Sequence, residues 1–199
     1  MLRAWLIFLL CALHLFISQL YRTTNAVLAP WLLEDLRLDT EGLGLLSAGF
    51  FYAFSLTQIP ISLLLDRLGA KLVMIGLSFL GMGGAGIFSL AQGLGTGLAG
   101  RLLRWVGMAC NLMGPLKLLT EWFPPSRFAT VSGLLYAIGT LGNIVAATPL
   151  VVLVERLGWR LSFQAIIALH LLLTLALLRV VQDRPAARTQ AAPPPTGSP

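Results

Sequence analysis

Apolar residues run along this chain in stretches of about 20 or more, separated by short segments that hold most of its charges. A helix needs about 20 mostly apolar residues to cross about 30 Å of hydrocarbon. The pattern predicts six such helices: Trp5 to Ala29, Gly42 to Leu65, Leu72 to Ala91, Thr96 to Leu119, Phe128 to Val154 and Leu161 to Val181. The connections are too short to hold a soluble domain. In lipid a backbone must satisfy its own hydrogen bonds, so a spanning segment is a helix or part of a closed barrel, and these runs are too long and continuous for barrel strands. The expected fold class is all-α, a polytopic membrane protein. The run behind Arg3 exceeds the core of a signal peptide and ends without a small-x-small cleavage site, so it is read as a retained first span.

Composition strengthens this reading. Of 199 residues 57% are hydrophobic and only 11% are charged, and the mean hydropathy is +0.83. A soluble domain carries roughly a quarter charged residues, so lipid is the outer solvent and the bilayer a necessary partner. The net charge of +6 is distributed by side rather than gathered in one domain. With the N-terminus inside, Arg3, Arg67, Lys71, Lys117, Arg127, Arg179, Arg184 and Arg188 fall on the cytoplasmic face, whereas Arg37, Arg156 and Arg160 fall outside. The first outer loop is acidic, with Glu34, Asp35, Asp39 and Glu41. The charge therefore reads as topology in a cell inner membrane with both termini cytoplasmic, and no exposed basic domain is left for nucleic acid.

Cys11 and Cys110 both lie inside predicted spans and behave there as small apolar groups, giving no disulfide. His14 and His170 have no ligand-like spacing, so neither a metal nor another cofactor is expected. No nucleophile and base pair can be assembled from so few groups, and the chain is not read as an enzyme. From residue 183 to 199 the chain is Pro-rich, with Pro193, Pro194 and Pro195, and lacks an apolar face; it is expected to be a disordered cytoplasmic tail or the start of a linker.

The segment joining the second and third spans reads Ser62-Leu-Leu-Leu-Asp66-Arg67-Leu-Gly69-Ala70-Lys71. It resembles the signature loop of the major facilitator superfamily, Gly-x-x-x-Asp-Arg-x-Gly-Arg-Lys, and stands where that family carries it. Ser62 replaces the first glycine and Ala70 a basic residue. A tight turn between helices favours Gly69, and Asp66 at a helix end can pair with cations. Weaker similarities are Tyr21-Arg22-Thr-Thr-Asn25, Gln58-Ile-Pro60, Glu121-Trp-Phe-Pro124-Pro125-Ser-Arg127 and Gly158-Trp159-Arg160. The family's fourth-helix pattern is only partly kept, with Arg101 and Gly107 but Trp105 in place of a glycine. The Gly-Pro pattern of its drug antiporters is missing from the fifth span. The resemblance implies a gating network of Ser62, Asp66, Arg67, Gly69, Lys71, Glu121 and Arg127. The alternative is a solvated turn with ordinary positive-inside residues.

Positions three or four apart share a helical face. His14, Ser18, Arg22 and Asn25 form a polar stripe on the first span; Arg104, Gly107, Asn111 and Gly114 form one on the fourth, flanked by Arg101 and Lys117; Tyr136, Thr140 and Asn143 form one on the fifth. Polar groups at membrane depth face protein or water, and in the family the first and fourth helices line the substrate path. The expected substrate-binding residues are therefore Arg22, His14, Ser18, Asn25, Arg104, Asn111, Tyr136 and Asn143. Ser18, Thr140 and Asn143 serve equally well as interhelical glue, and Arg101 and Arg104 as groups snorkelling to the outer surface.

No carboxylate lies at mid-membrane, so a proton relay would fall to His14 or to another polypeptide segment. An arginine in a low-dielectric cavity suits planar anions, which points to a small organic anion as solute. The family's members have about twelve helices in two halves, and this chain resembles the N-terminal six. The implied function is alternating-access transport of a small solute, with residues 1–182 as a six-helix unit that needs a second half from a homodimer or a separate C-terminal half. The alternatives are a membrane scaffold or assembly partner, using Gly81 and Ala85 as a close-packing face, and a truncated half-transporter without activity.

Overall fold

A computed structural model describes residues 2–183 of the chain, and of Asn25 the backbone only. Seven α-helices follow one another: α1 Leu2–Asp35, α2 Thr40–Leu68, α3 Ala70–Ser89, α4 Leu94–Met108, α5 Met113–Trp122, α6 Pro125–Ala147 and α7 Pro149–Val180. Five of them are long and apolar enough to cross a membrane, α1, α2, α3, α6 and α7. The fourth expected span, Thr96 to Leu119, is present as two shorter helices, α4 and α5.

Each departure from the expected spans has a local cause. α1 continues past Ala29 to Asp35 although Pro30 forfeits one helical hydrogen bond. The apolar side chains of Leu32 and Leu36, both buried, hold the extra turns against the bundle. The fourth span breaks at residues 109–112 because Pro115 has no N–H to donate to the carbonyl of Asn111 and its ring would crowd that carbonyl. The break is closed by a tight bond from the Asn111 N–H to the Met108 carbonyl, 3.0 Å. The expected fifth span, Phe128 to Val154, is interrupted at Thr148 by Pro149, which begins α7. α7 is itself two rods, since Gly158 sits inside it with φ 79° and ψ 157°.

The tightest pairs are α3 with α4 and α1 with α6, while α7 packs on both α3 and α1. Small residues make these approaches possible. A Cβ on Gly107 would lie 2.2 Å from the Gly81 backbone nitrogen, so Gly81 is a close-packing position as the sequence suggested. A Cβ on Gly142 of α6 would lie 2.2 Å from the Phe16 carbonyl oxygen of α1. By contrast α2 and α6 bury little of their surface. Two apolar clusters fill the bundle: one near the α2–α3 turn, around Met74, Leu118 and Leu135, the other near the opposite end, around Leu28, Phe88 and Phe163.

The Pro-rich tail lies outside the described residues apart from Asp183. That residue is placed and tied down: its carboxylate accepts the Lys71 backbone N–H at 2.8 Å.

Candidate functional site

Four helices enclose a cavity of about 320 Å³. α1 contributes Leu15, Ser18, Gln19 and Arg22; α2 contributes Phe50, Phe51 and Phe54. Trp105 and Met108 of α4, Ala109 and Leu112 of the break, and Tyr136 of α6 complete the lining. The Arg22 guanidinium sits over the Phe50 ring, 5.1 Å from its centroid, and Phe50 packs edge-on against Trp105 at 4.4 Å. A neighbouring recess of about 210 Å³ shares Arg22, Phe50, Phe51 and Trp105 and adds Ala26, Ser47 and Arg101. Arg22 thus opens onto both spaces, and among the described residues no Asp or Glu lines either.

Of the eight expected substrate-binding residues, Arg22, Ser18 and Tyr136 line the cavity. His14, Arg104, Asn111 and Asn143 do not, and helical geometry explains the separation. At about 100° per residue, Leu15, Ser18, Gln19, Arg22 and Ala26 share one arc of α1. The buried His14, Ile17, Tyr21, Thr24 and Leu28 share another, roughly 130° away. The stripe expected from polarity straddles both arcs.

On α4 the polar stripe is the seam against α3, while the cavity face, Trp105, Met108, Ala109 and Leu112, is mostly apolar. Arg104 does not snorkel: it is 1% exposed, and its guanidinium lies 5.1 to 5.5 Å from the rings of Tyr21, Phe88, Trp105 and Phe163. Asn111 fills the helix break, directing its amide at the His14 carbonyl, 3.5 Å, and the Met108 sulfur, 3.3 Å. Asn143 accepts a 2.7 Å bond from the Thr23 hydroxyl, which links α6 to α1. Gln19 and the Phe50, Phe51 and Phe54 row were not expected in the site. Gln19 was findable as a polar residue one turn before Arg22, and the aromatic row as a run on one apolar span.

The expected charge network takes a different form. Asp66 pairs with Lys117 at 2.6 Å, and the same ammonium donates to the Leu65 carbonyl at 2.8 Å, fastening α2 to α5. Lys71 contributes its backbone N–H, to Asp183, rather than its charge. Arg67 and Arg127 are exposed, and the Ser62 hydroxyl donates within its own helix to Ile59. Gly69, with φ 83°, is the positive-φ pivot between α2 and α3. At the opposite end Asp35 accepts 2.7 Å and 2.5 Å bonds from the Trp159 indole N–H and the Arg160 guanidinium. The Trp159 bond most of all holds the Asp35 carboxyl below its usual range; burial opposes it, and the Arg160 bond and charge add to the lowering.

A helical bundle with an arginine-bearing cavity between α1, α2, α4 and α6 is the architecture of half a transporter of the facilitator type. The Major Facilitator Superfamily model matches residues 10–198, and the chain belongs to that family. The hexuronate transporter of Bacillus subtilis is 26% identical over 182 residues, covering 89% of this chain and 42% of that one. The probable sulfoacetate transporter SauU of Cupriavidus necator is 28% identical over 184 residues, covering 88% of this chain and 41% of that one. The chain thus spans about two fifths of the length of these relatives. Among solved structures, a bacterial homologue of the human lysosomal transporter Spinster, in an inward-facing and unoccupied conformation, has the same fold. Its TM-score is 0.82 at 20% identity, over 92% of this chain and 44% of that one.

Proposed function

We propose that this chain forms one wall of an alternating-access transporter for small organic anions, with Arg22 as the group that binds the anion. The observation that carries this reading is the position of Arg22: its guanidinium opens into the cavity over Phe50. The eight carboxylates of the chain all lie near helix ends or in connections, so the cavity presents net positive charge. A fork of N–H donors in an apolar surround suits a carboxylate or sulfonate, and the relatives named above are called hexuronate and sulfoacetate transporters.

The facing wall comes from a second six-helix unit, another copy or a complementary half. Exposed Phe51 and Tyr136 flank the cavity and are available to meet it. Residues 1–182 act as the transmembrane unit. The end that carries Arg3, Arg67, Lys71, Lys117 and Arg127 faces the cytoplasm of the inner membrane, by the preference of basic residues for that side. Asp66, Arg67 and Lys71, with Glu121, act as the gate at that end, where the Asp66–Lys117 pair ties α2 to α5.

The test is anion binding by the chain purified in mild detergent, with labelled hexuronate and sulfoacetate as probes and wild type, Arg22→Lys and Arg22→Ala as proteins. The lysine variant keeps the charge and loses the fork, so affinity should fall about tenfold, equivalent to about 1.4 kcal/mol. Arg22→Ala should abolish binding. Unchanged affinity in Arg22→Ala would sink the assignment.

A further inference from the structure

The chain has two histidines and both are fully buried inside the bundle, on the side of α1 turned away from the anion cavity. Their rings meet edge to face with centroids 5.7 Å apart, His14 from α1 and His170 from α7. His14 Nδ1 lies 2.8 Å from the Leu10 carbonyl oxygen, which can only accept. Nδ1 must therefore carry the proton of the neutral ring, and Nε2 is left with a bare lone pair. That Nε2 has no hydrogen-bond partner, nor has either nitrogen of His170. Three buried ring nitrogens without partners are costly to keep for packing alone, where an apolar ring would serve better.

We propose that His14 and His170 together bind one proton within the membrane-spanning bundle, and that its occupancy is coupled to the anion cavity through α1. A proton needs no cavity, so the tight packing around the rings is no obstacle. It adds to the lone pair of a ring nitrogen and leaves an imidazolium whose new N–H can turn to the other ring. A second proton would place two positive charges about 5.7 Å apart, so the pair takes one at a time.

The surrounding groups supply no competing base. From α1 the neighbours are Cys11, one turn before His14, and Tyr21, whose ring is 6.3 Å from that of His170 and whose hydroxyl has no partner. α4 brings Arg104, 5.2 Å from the Tyr21 ring. The α4–α5 break brings Cys110 and Asn111. On α7, the Thr174 hydroxyl already donates to the His170 carbonyl at 2.8 Å. α3 carries Lys71 only in its first turn and a buried Ser78; α5 carries Lys117, paired with Asp66, and Glu121. α6 carries Arg127 near its start and Tyr136 in the cavity, and the charges of α2 stand at its ends. The carboxylates lie near helix ends or in connections, which leaves the two imidazoles as the bases at depth.

The route to the cavity is short. The His14 carbonyl meets the Asn111 amide inside the helix break, and the flanking Met108, Ala109 and Leu112 line the cavity, as do Ser18 and Arg22 one and two turns along α1.

Because there are only two histidines, long-range proton–nitrogen NMR of histidine-labelled chain in nanodiscs resolves each ring. Neutral His14 should show the Nδ1–H form, and the two rings should titrate as a pair. His170→Gln should displace the His14 midpoint by about one pH unit or more, the level at which sites titrate jointly, and His14→Gln should do the same to His170. Silent rings in the wild type, or midpoints unmoved in the variants, overturn the proposal. The coupling rests on the anion reading and has its own arm: saturating hexuronate should shift the titration in wild type but not in Arg22→Ala. If Arg22 is not the anion site, the shift persists in Arg22→Ala while the paired titration stands. A titration unmoved by an anion that demonstrably binds overturns the coupling.

Discussion

At one end of the bundle α2 turns into α3 through Gly69, with φ 83° and ψ 158°; at the other, α7 bends at Gly158, with φ 79° and ψ 157°. The sequences around the two glycines match as well: Asp66-Arg67-Leu68-Gly69-Ala70-Lys71 against Glu155-Arg156-Leu157-Gly158-Trp159-Arg160. One unit of acid, base, leucine, glycine and base thus serves opposite faces of the bundle, as an inverted three-helix repeat within a six-helix half requires. The clasps differ. Asp183 holds the Gly69 turn through a backbone N–H, that of Lys71, whereas Asp35 holds the Gly158 turn through the side chains of Trp159 and Arg160. A backbone clasp tolerates change of side chain and a side-chain clasp does not.

The strongest way to break the comparison is to place a Cβ in each turn. Both backbones lie in a region that is essentially glycine-only and costs of order 1–3 kcal/mol for other residues. At Gly158 the added carbon meets nothing within 4 Å, but at Gly69 it comes 2.8 Å from an Asp183 carboxylate oxygen. Thermal unfolding in detergent, followed by circular dichroism, should show both alanine variants destabilised, with Gly69→Ala the worse. Equal losses would mean that the Asp183 clasp gives way freely.

The repeat shows what kind of information the sequence carries openly. That the chain is built of apolar spans was legible because hydrocarbon thickness sets their length, though not where each span breaks, and the Gly69 turn was legible because glycine and flanking charges suit a helix junction. The cavity was legible only at Arg22, Ser18 and Tyr136. Elsewhere its wall is Phe50, Phe54, Trp105 and Met108, which look the same in sequence whether they face lipid, core or a ligand. The polar stripe of α4 misled for the converse reason: Arg104 and Asn111 alternate with the small residues of a packing seam, and one periodicity served both. The helix break at Asn111 followed from Pro115, a signal present but outweighed by the continuous apolar run. Asp183 was placed with the Pro-rich tail because a carboxylate that caps a distant turn has no local pattern.

A second test compares the side chains themselves. Arg160→Ala removes a charge-assisted bond to Asp35, a bond to the Ala91 carbonyl and the stacking on Trp159, and should cost about 1 kcal/mol after allowance for its partial exposure. Lys71→Ala leaves the backbone clasp intact and should change stability by less than about 0.5 kcal/mol. Unfolding midpoints of the two variants decide between them, and similar losses would refute the distinction.

Acid sharpens the same contrast with a smaller effect. The Asp35 carboxyl is held below its usual range, so its ionised form is the one the fold prefers. That stabilisation is present above the unfolded-state value near pH 4 and is lost as pH falls through the lower folded value. Asp35→Asn should therefore be less stable than wild type at pH 7, and the gap should narrow below about pH 4. A gap that is constant with pH would remove the charged clasp from the account.

The smallest expected effect concerns the acid that opens the Gly69 unit. Asp66 is bonded to Lys117 at 2.6 Å, yet its side chain is 74% exposed and that of Lys117 35%. Solvent screens such a pair, and exposed pairs contribute about 0 to 1 kcal/mol. The corresponding Glu155 at the other end appears in no ion pair among the described residues. Asp66→Asn should accordingly leave the unfolding midpoint nearly where it was and act on conformation instead, since the pair ties α2 to α5 at one end of the cavity. A cysteine at Ser18, with Cys11 and Cys110 replaced by alanine, reports on that end. Its labelling from the side of the Gly69 turn should be faster with Asp66→Asn than without it, and Glu155→Gln should have no effect. If Asp66→Asn leaves labelling unchanged, or lowers the unfolding midpoint as much as Arg160→Ala does, then the Asp66–Lys117 bond is a structural tie and not a gate.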